Sequence, residues 1–251
     1  NRVDIPNEES YSVILGLNPS KGARSPVLWN YAYEHFSINS KMIPIDVNEQ
    51  NFEKLLAVLQ QDQAFSGGAI AAPHKEAAAT YIGSNVTKEA QSIGAINCLF
   101  RNTDGALCGT NTDGEGSLIA FENIFGKTRD KLILILGAGG TGKAVSAYFA
   151  AAAHDLEKFF IASRSNAAIK LSSDLGCNGI SWSSINEILP NVEILINCTS
   201  LGSITEPSQS PISINDLKQF QSDAIVYDVI YDPNPTQLLK DADLLGHRTL
   251  N

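Results

Sequence analysis

The chain has 251 residues, 43% of them hydrophobic, which suits one large or two modest domains with a substantial core. Its net charge of −9 argues against non-specific binding to nucleic acid. No run of about 18 apolar residues could span a membrane, and residues 1–10 lack the apolar segment of a signal peptide. We therefore expect a cytoplasmic protein with neither nucleic acid nor membrane as a partner.

The cysteines and histidines form no recognisable ligand pattern. The four cysteines contain no Cys-x-x-Cys pair and lie in or near apolar runs, and the four histidines are scattered. Buried free thiols in a reducing compartment are the expected state of the cysteines. We expect no metal site.

The first part of the chain alternates short apolar runs with amphipathic segments. The pattern predicts strands at residues 11–17, 42–47 and 67–72. It predicts a helix that opens at Ser25-Pro26 with Ser25 as N-cap, followed by helices at residues 51–60 and 74–82. Alternating strands and helices indicate an α/β fold with a mostly parallel sheet and helices on both faces.

Two short strands and a turn close this first region. Residues 95–101 and 106–110 read as strands, and Asn102-Thr103-Asp104-Gly105 between them is a strong turn signal. A helix follows, and we place the first domain at residues 1–113.

A glycine-rich loop organises the second region. The buried strand 132–136 leads into Gly137, Gly139 and Gly142, and an Ala-rich helix follows at residues 143–153. In such a loop the glycines permit a tight turn, close approach of a pyrophosphate and close helix packing. The helix N-terminus then faces the anion. The other reading is a glycine turn with no ligand. We expect a dinucleotide on the residues Gly137, Ala138, Gly139, Gly140, Thr141 and Gly142.

Later strands at residues 159–163, 194–197 and 224–229 complete a second, doubly wound parallel sheet. We place this domain at residues 114–235. The last segment, residues 236–251, is expected to form a helix that packs back toward the first domain.

The end of the second strand in this sheet predicts which dinucleotide binds. An acidic residue there would select NAD through the ribose hydroxyl, but this chain has Ser163-Arg164-Ser165. An arginine with two hydroxyls suits a 2′-phosphate, so NADP is favoured over NAD. The alternative is an arginine that is merely solvated.

The chain resembles the shikimate dehydrogenase family over nearly its whole length. The motifs that carry the resemblance, besides the glycine loop and Ser163-Arg164-Ser165, are Ser25-Pro26-x-x-x-Asn30, Pro73-x-Lys75, Ile93-Gly94-Ala95-Ile96-Asn97, Gly109-x-Asn111-Thr112-Asp113-x-x-Gly116, Asn197-Cys198-Thr199-Ser200-Leu201-Gly202 and Asp228-x-x-Tyr231-x-Pro233-x-x-Thr236. The resemblance implies an N-terminal mixed α/β substrate domain, a Rossmann NADP-binding domain and a cleft between them. It also implies reduction of 3-dehydroshikimate to shikimate with NADPH, in the shikimate pathway of aromatic amino acid biosynthesis.

The resemblance assigns roles to individual residues. Ketone reduction needs a proton donor, and Lys75 and Asp113 match the family's catalytic pair. The alternative interpretation of Lys75 is a solvated lysine on a helix, and that of Asp113 is an N-cap of the following helix. Residues expected at the substrate are Ser25, Asn97 and Tyr231. The segment of Thr199, Ser200 and Leu201 is expected at the cofactor.

Departures from the family pattern fall in the substrate region. The family's His-Ser-x-Ser-Pro reads Gly22-Ala23-Arg24-Ser25-Pro26, and its Asn-Val-Thr-x-Pro reads Ala69-Ile70-Ala71-Ala72-Pro73. Two hydroxyls and one amide are therefore missing, and Trp29 replaces a histidine. Each lost hydrogen bond to a carboxylate could cost about 1.5–3 kcal/mol. Arg24 is the expected replacement as a carboxylate partner.

Three functional readings follow. The first is an NADP-dependent shikimate dehydrogenase. The second is a paralogue acting on a related polyol or on a hydroxy or keto acid, such as quinate or an amino analogue. The third is a nucleotide-binding regulatory protein without turnover, which retention of Lys75 and Asp113 disfavours. The family's Met-Leu-x-x-Gln segment would come after Asn251, so we expect either a missing tail or a missing contact. A monomer and a homodimer both remain open.

Overall fold

A computed structural model describes residues 10–251, and this part of the chain divides into two compact units. One unit ends at Thr112 and the other runs from Asp113 to Asn251, one residue before the expected boundary. Each unit is built around its own sheet. The fold class is therefore the predicted one, α/β with two sheets. Within residues 10–251 no helix has the length and apolar character to cross a membrane.

The first sheet has the strand order β2-β1-β3-β4-β5. Its elements are β1 (Ser10–Gly16), α1 (Ser25–His35), β2 (Ser40–Asp46), α2 (Glu49–Gln61), β3 (Phe65–Ile70), α3 (Lys75–Ile82), α4 (Lys88–Ile93), β4 (Cys98–Arg101) and β5 (Leu107–Thr110). Strand β1 pairs in parallel with β2 and β3, and the hairpin β4–β5 adds antiparallel to β3.

The first core lies between this sheet and helices α2, α3 and α4. Alternate residues of β1, such as Val13 and Leu15, point into it together with Phe52 and Leu56 of α2. This alternation follows from the period of two along a strand, and the spacing of four along α2 matches one helical face. Helix α1 contributes no buried residue.

The second sheet is entirely parallel and has the order β11-β10-β9-β6-β7-β8. Its elements are α5 (Asp113–Phe125), β6 (Ile133–Leu136), α6 (Gly140–Ala152), β7 (Phe159–Ser163), α7 (Ala167–Leu175), β8 (Asn178–Ser181), β9 (Ile194–Asn197), α8 (Ile214–Leu217), β10 (Ile225–Asp228), α9 (Gln237–Leu244) and β11 (Arg248–Leu250).

Both faces of the second sheet are buried. Ile133 and Ile135 face a core with α5, α6 and α7, whereas Leu134 and Leu136 face a core with α8 and α9. This burial on two sides explains why β6 is an uninterrupted apolar run. The predicted doubly wound arrangement is confirmed.

In the C-terminal segment, α9 and β11 pack within the second unit, and the expected packing of this segment toward the first domain stays a prediction. The buried residues Leu238, Leu239 and Ala242 of α9 lie in the core of the second sheet, and β11 pairs with β10. These three residues lie on one face of the helix and form its apolar side, which is buried in the same core as Val226 of β10. Strands β8 and β11 were not predicted from the sequence, because β8 has one large apolar residue, Ile180, and β11 is only three residues long.

Candidate active site

The glycine loop lies at the centre of the second sheet. Residues 137–142 follow β6, which pairs with β7 on one side and β9 on the other. The strand order therefore reverses at β6, and doubly wound sheets bind ligands at the carboxyl ends of strands where this happens.

Each glycine of the loop has the conformation or space that the fingerprint predicts. Gly137 has φ of +102°, and a Cβ on it would lie 3.0 Å from the carbonyl atoms of Cys198. A Cβ on Gly142 would lie 2.1 Å from the Gly137 oxygen, so α6 packs directly on the turn. A Cβ on Gly139 would meet nothing within 4 Å, which leaves open space beside that backbone. The three roles predicted for the glycines match this geometry.

The start of α6 suits an anion. Its N-cap is Gly139, which has no side chain to cap the first turn, and Gly140, Thr141 and Gly142 follow as its first residues. The backbone N–H groups and positive dipole end of such a turn attract phosphate. Ala138 between the glycines is buried in the core. These residues fit the pyrophosphate of a dinucleotide.

At the end of β7 the structure separates the roles of three residues. The Ser163 hydroxyl donates to the Ser165 carbonyl at 2.6 Å and accepts from the Ala168 N–H at 3.0 Å. The Ser165 hydroxyl accepts from the Ala167 N–H at 3.3 Å. Arg164 between them is exposed. Ser163 thus shapes the loop, and Arg164 is left exposed at the end of β7.

A buried polar network connects the ends of β9 and β10. Asn197 donates to Asp228 at 3.0 Å, and the other Asp228 oxygen accepts from Thr236 at 2.7 Å. All three side chains are fully buried, and burial raises the pKa of the Asp228 carboxyl. Sequence reasoning gave these residues no role, although a polar residue ending each apolar strand was a usable signal.

This network holds the segment that follows β9. The Asn197 amide oxygen accepts from the Thr199 N–H at 2.9 Å and from its hydroxyl at 2.7 Å, and the Thr199 hydroxyl accepts from the Leu201 N–H at 3.2 Å. Ser200 between them is exposed. The segment of Thr199, Ser200 and Leu201 thereby becomes a fixed loop at the carboxyl end of β9, beside Gly137.

In the first unit the structure brings Lys75 and Asn97 to one edge of the sheet. Lys75 is the first residue of α3, and its carbonyl accepts from the Ile96 N–H at 2.9 Å. Asn97 follows Ile96 directly. Lys75 comes after the carboxyl end of β3, and the hairpin strand β4 begins at the same edge with Cys98.

His74 positions Lys75 and was missed by the sequence analysis. Its ring is buried, stacks on Phe52 at 4.3 Å and contacts the Val47 carbonyl through Nε2 at 2.8 Å. The turn before α3 is therefore held against α2 and the end of β2. A histidine beside a suspected catalytic lysine was the only signal in the sequence.

Asn97 is anchored to the residue before Asp113. Its amide oxygen accepts from the Thr112 N–H at 2.9 Å, and its nitrogen donates to the Thr112 hydroxyl at 3.1 Å. Asn111 is buried and donates to the Ala95 carbonyl at 2.9 Å. Asp113 then begins α5, where a carboxylate favours the helix N-terminus.

The remaining predicted substrate residues lie at chain turns. Helix α1 begins at Ser25, and Arg24 occupies its N-cap without a side-chain cap, so the prediction that Ser25 is the N-cap was wrong. Pro26 at the start of the helix fixes the chain direction there. Tyr231 follows β10 in the second unit and is 55% exposed.

The cysteines are free thiols, as expected, but only Cys108 is buried, and the other three are partly exposed. Burial raises the pKa of the Cys98 thiol and raises that of Cys177 to about 11. These thiols are poor nucleophiles at neutral pH. Across the described residues, no three His, Cys, Asp or Glu side chains are grouped as metal ligands are.

Comparisons with known proteins relate both units to shikimate dehydrogenases. The family model for the shikimate dehydrogenase substrate binding domain matches residues 15–99. The chain is 31% identical over 254 residues to the shikimate dehydrogenase (NADP(+)) of Caldanaerobacter subterraneus subsp. tengcongensis, which covers 97% of this chain and 87% of that protein.

Two solved structures extend the comparison. Shikimate 5-dehydrogenase from Thermus thermophilus, in complex with NADP(H) and shikimate, has a TM-score of 0.81 at 27% identity, covering 96% of this chain and 86% of that one. The ligand-free 5-ketofructose reductase of Gluconobacter sp. strain CHM43 has a TM-score of 0.80 at 26% identity, covering 98% of this chain and 88% of that one.

Proposed function

The chain belongs to the shikimate dehydrogenase family, and we propose that it is an NADP-dependent oxidoreductase that reduces 3-dehydroshikimate reversibly to shikimate. The proposal rests on the presence of a candidate cofactor site and a candidate catalytic lysine in the same chain. The second unit has the complete dinucleotide loop. In the first unit, the hydrogen bond from the Ile96 N–H to the Lys75 carbonyl holds Lys75 close to Asn97, at the carboxyl end of β3. The first unit binds the substrate, the second binds the nucleotide, and the enzyme acts in the cytoplasm.

The cofactor site is assigned to NADP. Residues 137–142 hold the pyrophosphate, Arg164 pairs with the 2′-phosphate, and residues 199–201 lie along the cofactor. The exposed Arg164 supports this choice, because its charge and donor groups match a phosphate and do not help a bare ribose hydroxyl. NAD is the weaker ligand.

NADPH, when bound, supplies a hydride to the carbonyl carbon. The carbonyl oxygen gains negative charge as the C–H bond forms, and Lys75 donates a proton from Nζ to that oxygen. Asp113 is the second member of the catalytic pair that the family pattern assigns to the proton transfer. Asn97 and Tyr231 hold substrate hydroxyls. Ser25 and Arg24 bind the carboxylate, with Arg24 replacing hydroxyls that this chain lacks.

A second candidate follows from those missing hydroxyls. The Ala71 N–H donates to the Leu15 carbonyl at 2.7 Å. The Ala71 methyl lies 3.0 Å from where a Cβ added to Gly16 would be. The ends of β1 and β3 therefore present a methyl where the family pattern has a carboxylate-binding hydroxyl, and Ala23 repeats the change. A neutral polyhydroxy ketone needs no carboxylate partner, and one structural relative is named a 5-ketofructose reductase. Quinate or an amino analogue retains the carboxylate, so it explains the substitutions less directly.

The test is a substrate panel with the purified protein, followed at the nicotinamide absorbance. We expect NADPH to be oxidised with 3-dehydroshikimate, and NADP+ to be reduced with shikimate, at a higher kcat/KM than with the NAD pair. Turnover of 5-ketofructose without turnover of 3-dehydroshikimate would establish the second candidate. NADPH binding without turnover of any ketone would identify a regulatory protein and overturn the proposal.

A further inference from the structure

The carboxyl group of Asp228 is buried at the point where strand β10 ends. Among residues 10–251, it is the only aspartate or glutamate side chain that is buried, and none of its surface is exposed. Burying such a group costs free energy unless hydrogen bonds satisfy its oxygens. The contacts of its two oxygens therefore indicate which parts of the molecule depend on it.

The two oxygens of Asp228 contact different segments. Oδ1 accepts from the Asn197 amide at 3.0 Å and from the Ile230 N–H at 3.1 Å. Oδ2 accepts from the hydroxyl of Thr236, the N-cap of α9, at 2.7 Å. Oδ1 therefore joins the segment after β9 to the segment after β10, whereas Oδ2 holds the start of a helix.

On one side, Oδ1 determines the orientation of Asn197. The Asn197 oxygen accepts from both the N–H and the hydroxyl of Thr199, so its nitrogen faces Asp228. The same nitrogen donates to the Leu201 carbonyl at 3.4 Å. Turning the amide over would put a donor against donors and an acceptor against acceptors. The shape of residues 199–201, which we call the cofactor loop, thus depends on an acceptor at Oδ1.

On the other side, Oδ1 fixes the backbone that leads to Tyr231. The Ile230 N–H donates to Oδ1, and the Ile230 carbonyl accepts from the Asn251 amide. Both backbone polar groups of the residue before Tyr231 are therefore held by side chains. Tyr231 itself is 55% exposed. The direction in which the chain presents its ring follows from the anchored backbone of Ile230.

We propose that Asp228 is a positioning residue, whose Oδ1 atom holds the cofactor loop and Tyr231 in place together. The inference rests on the proposed function, which assigns the cofactor to residues 199–201 and the substrate to Tyr231. Without this acceptor, the Asn197 amide and the Ile230 N–H would be left as unpaired donors, and both segments would be released. We therefore expect the binding of NADPH and of substrate to weaken together, while the chemical step changes less.

The test is Asp228→Leu in the complete chain, because leucine has a similar size and no acceptor. Fluorescence titration gives the dissociation constant for NADPH, and steady-state kinetics give KM for the ketone that the parent reduces fastest. Both constants should rise at least ~10-fold, with a smaller fall in kcat. Asp228→Asn keeps an oxygen that can occupy the Oδ1 position, and its amide can donate to the Thr236 hydroxyl. It should return both constants to within ~3-fold of the parent.

Thr236→Val is the matched control, because it removes a hydrogen bond to the same buried carboxylate on the Oδ2 side. It should lower the melting temperature and leave the NADPH dissociation constant and the KM within ~3-fold of the parent. Thermal unfolding checks that every variant folds. Asp228→Ser, whose hydroxyl is too short to reach either segment, replaces the leucine variant if that variant does not fold.

Three outcomes would overturn the proposal. They are unchanged binding of NADPH and ketone in the folded leucine or serine variant, an equal loss in Thr236→Val, and an asparagine variant as impaired as the leucine variant. A parent that reduces none of the ketones would contradict the proposed function instead. The NADPH titration would still measure how Asp228 affects the cofactor loop.

Discussion

Two loops of this molecule each connect a strand to the following helix, but one would bind its ligand through side chains and the other through the backbone. Residues 17–24 leave β1 and lead into α1, and residues 137–139 leave β6 and lead into α6. The second loop, together with Gly142 in the first turn of α6, retains every glycine of its fingerprint. The first leads into a helix that retains Ser25-Pro26, while Ala23 in the loop and Trp29 in α1 replace polar residues of the family pattern.

The difference follows from what each loop would use to bind. The glycine loop works through backbone shape, and a Cβ on Gly142 would approach the Gly137 oxygen to 2.1 Å. A side chain at Gly137 or Gly142 would therefore disturb the turn itself. The loop before α1 works through side chains, which can change without altering the fold. A binding site made of side chains is therefore free to change its ligand, and one made of backbone is not.

The largest effect we predict is at the reacting centre. Lys75→Ala should lower kcat by at least ~10²-fold and leave NADPH affinity nearly unchanged, because a general acid acts only in the transition state. Steady-state kinetics and NADPH titration measure the two quantities. Lys54→Ala on α2 is exposed and serves as the matched control. Near-normal turnover of the Lys75 variant would remove this residue from the mechanism.

Gly142, the third glycine of the loop, tests whether the backbone shape of the loop determines cofactor binding. Gly142→Ala should raise the dissociation constant for NADPH by about 10²-fold, because the added methyl must displace the Gly137 carbonyl and the start of α6 with it. Fluorescence titration of NADPH measures the change. Gly116→Ala in α5 is the control, since a Cβ there would meet nothing within 4 Å. Unchanged NADPH binding would separate the loop geometry from cofactor recognition.

The same contrast explains what the sequence could predict. Strands β7 and β9 match their predicted limits, because apolar strands buried on both faces have a distinct composition. The glycine loop was predictable because its spacing encodes its backbone shape. Strand β8 was not predictable, because its residues lack an apolar pattern and its strand conformation depends on hydrogen bonding to β7.

The site was less predictable than the fold for a related reason. The interaction of His74 with Phe52 and Val47 joins segments more than twenty residues apart. The contact of Asn197 with Asp228 spans 31 residues, and only the folded sheet brings the two together. Sequence patterns within one segment carry no information on such pairs.

Restoring the missing hydroxyls at Ala23 and Ala71 tests whether side chains near α1 and β3 bind the substrate carboxylate. If the enzyme acts on shikimate, Ala23→Ser/Ala71→Thr should raise kcat/KM for shikimate by up to ~10²-fold, mainly through KM, at about 1.5 kcal/mol for each hydroxyl. The carboxylate is remote from the reacting carbon, so its contacts affect ground and transition states alike.

Arg24→Ala distinguishes the outcomes of that experiment. If Arg24 already binds the carboxylate, the double variant should change little and Arg24→Ala should raise KM for shikimate strongly. A parent with a low KM for shikimate that is indifferent to all three substitutions would place the carboxylate elsewhere. Turnover of 5-ketofructose that is unaffected by them would support the neutral-ketone candidate.

The smallest predicted effect concerns cofactor choice. Arg164→Ala should raise KM for NADPH by roughly 10-fold and leave KM for NADH nearly unchanged, because only the 2′-phosphate meets the guanidinium and solvent weakens this exposed contact. Arg129→Ala is the matched control, since Arg129 is also exposed but lies before β6, at the opposite end of the strands. The Ser163 hydroxyl already holds the loop through the Ser165 carbonyl and the Ala168 N–H, so the substitution should not alter the loop. An equal rise for NADPH and NADH would mean that Arg164 shapes the adenosine site and does not select the phosphate. A parent that prefers NADH would show that exposed charge at this position is not enough to predict the cofactor.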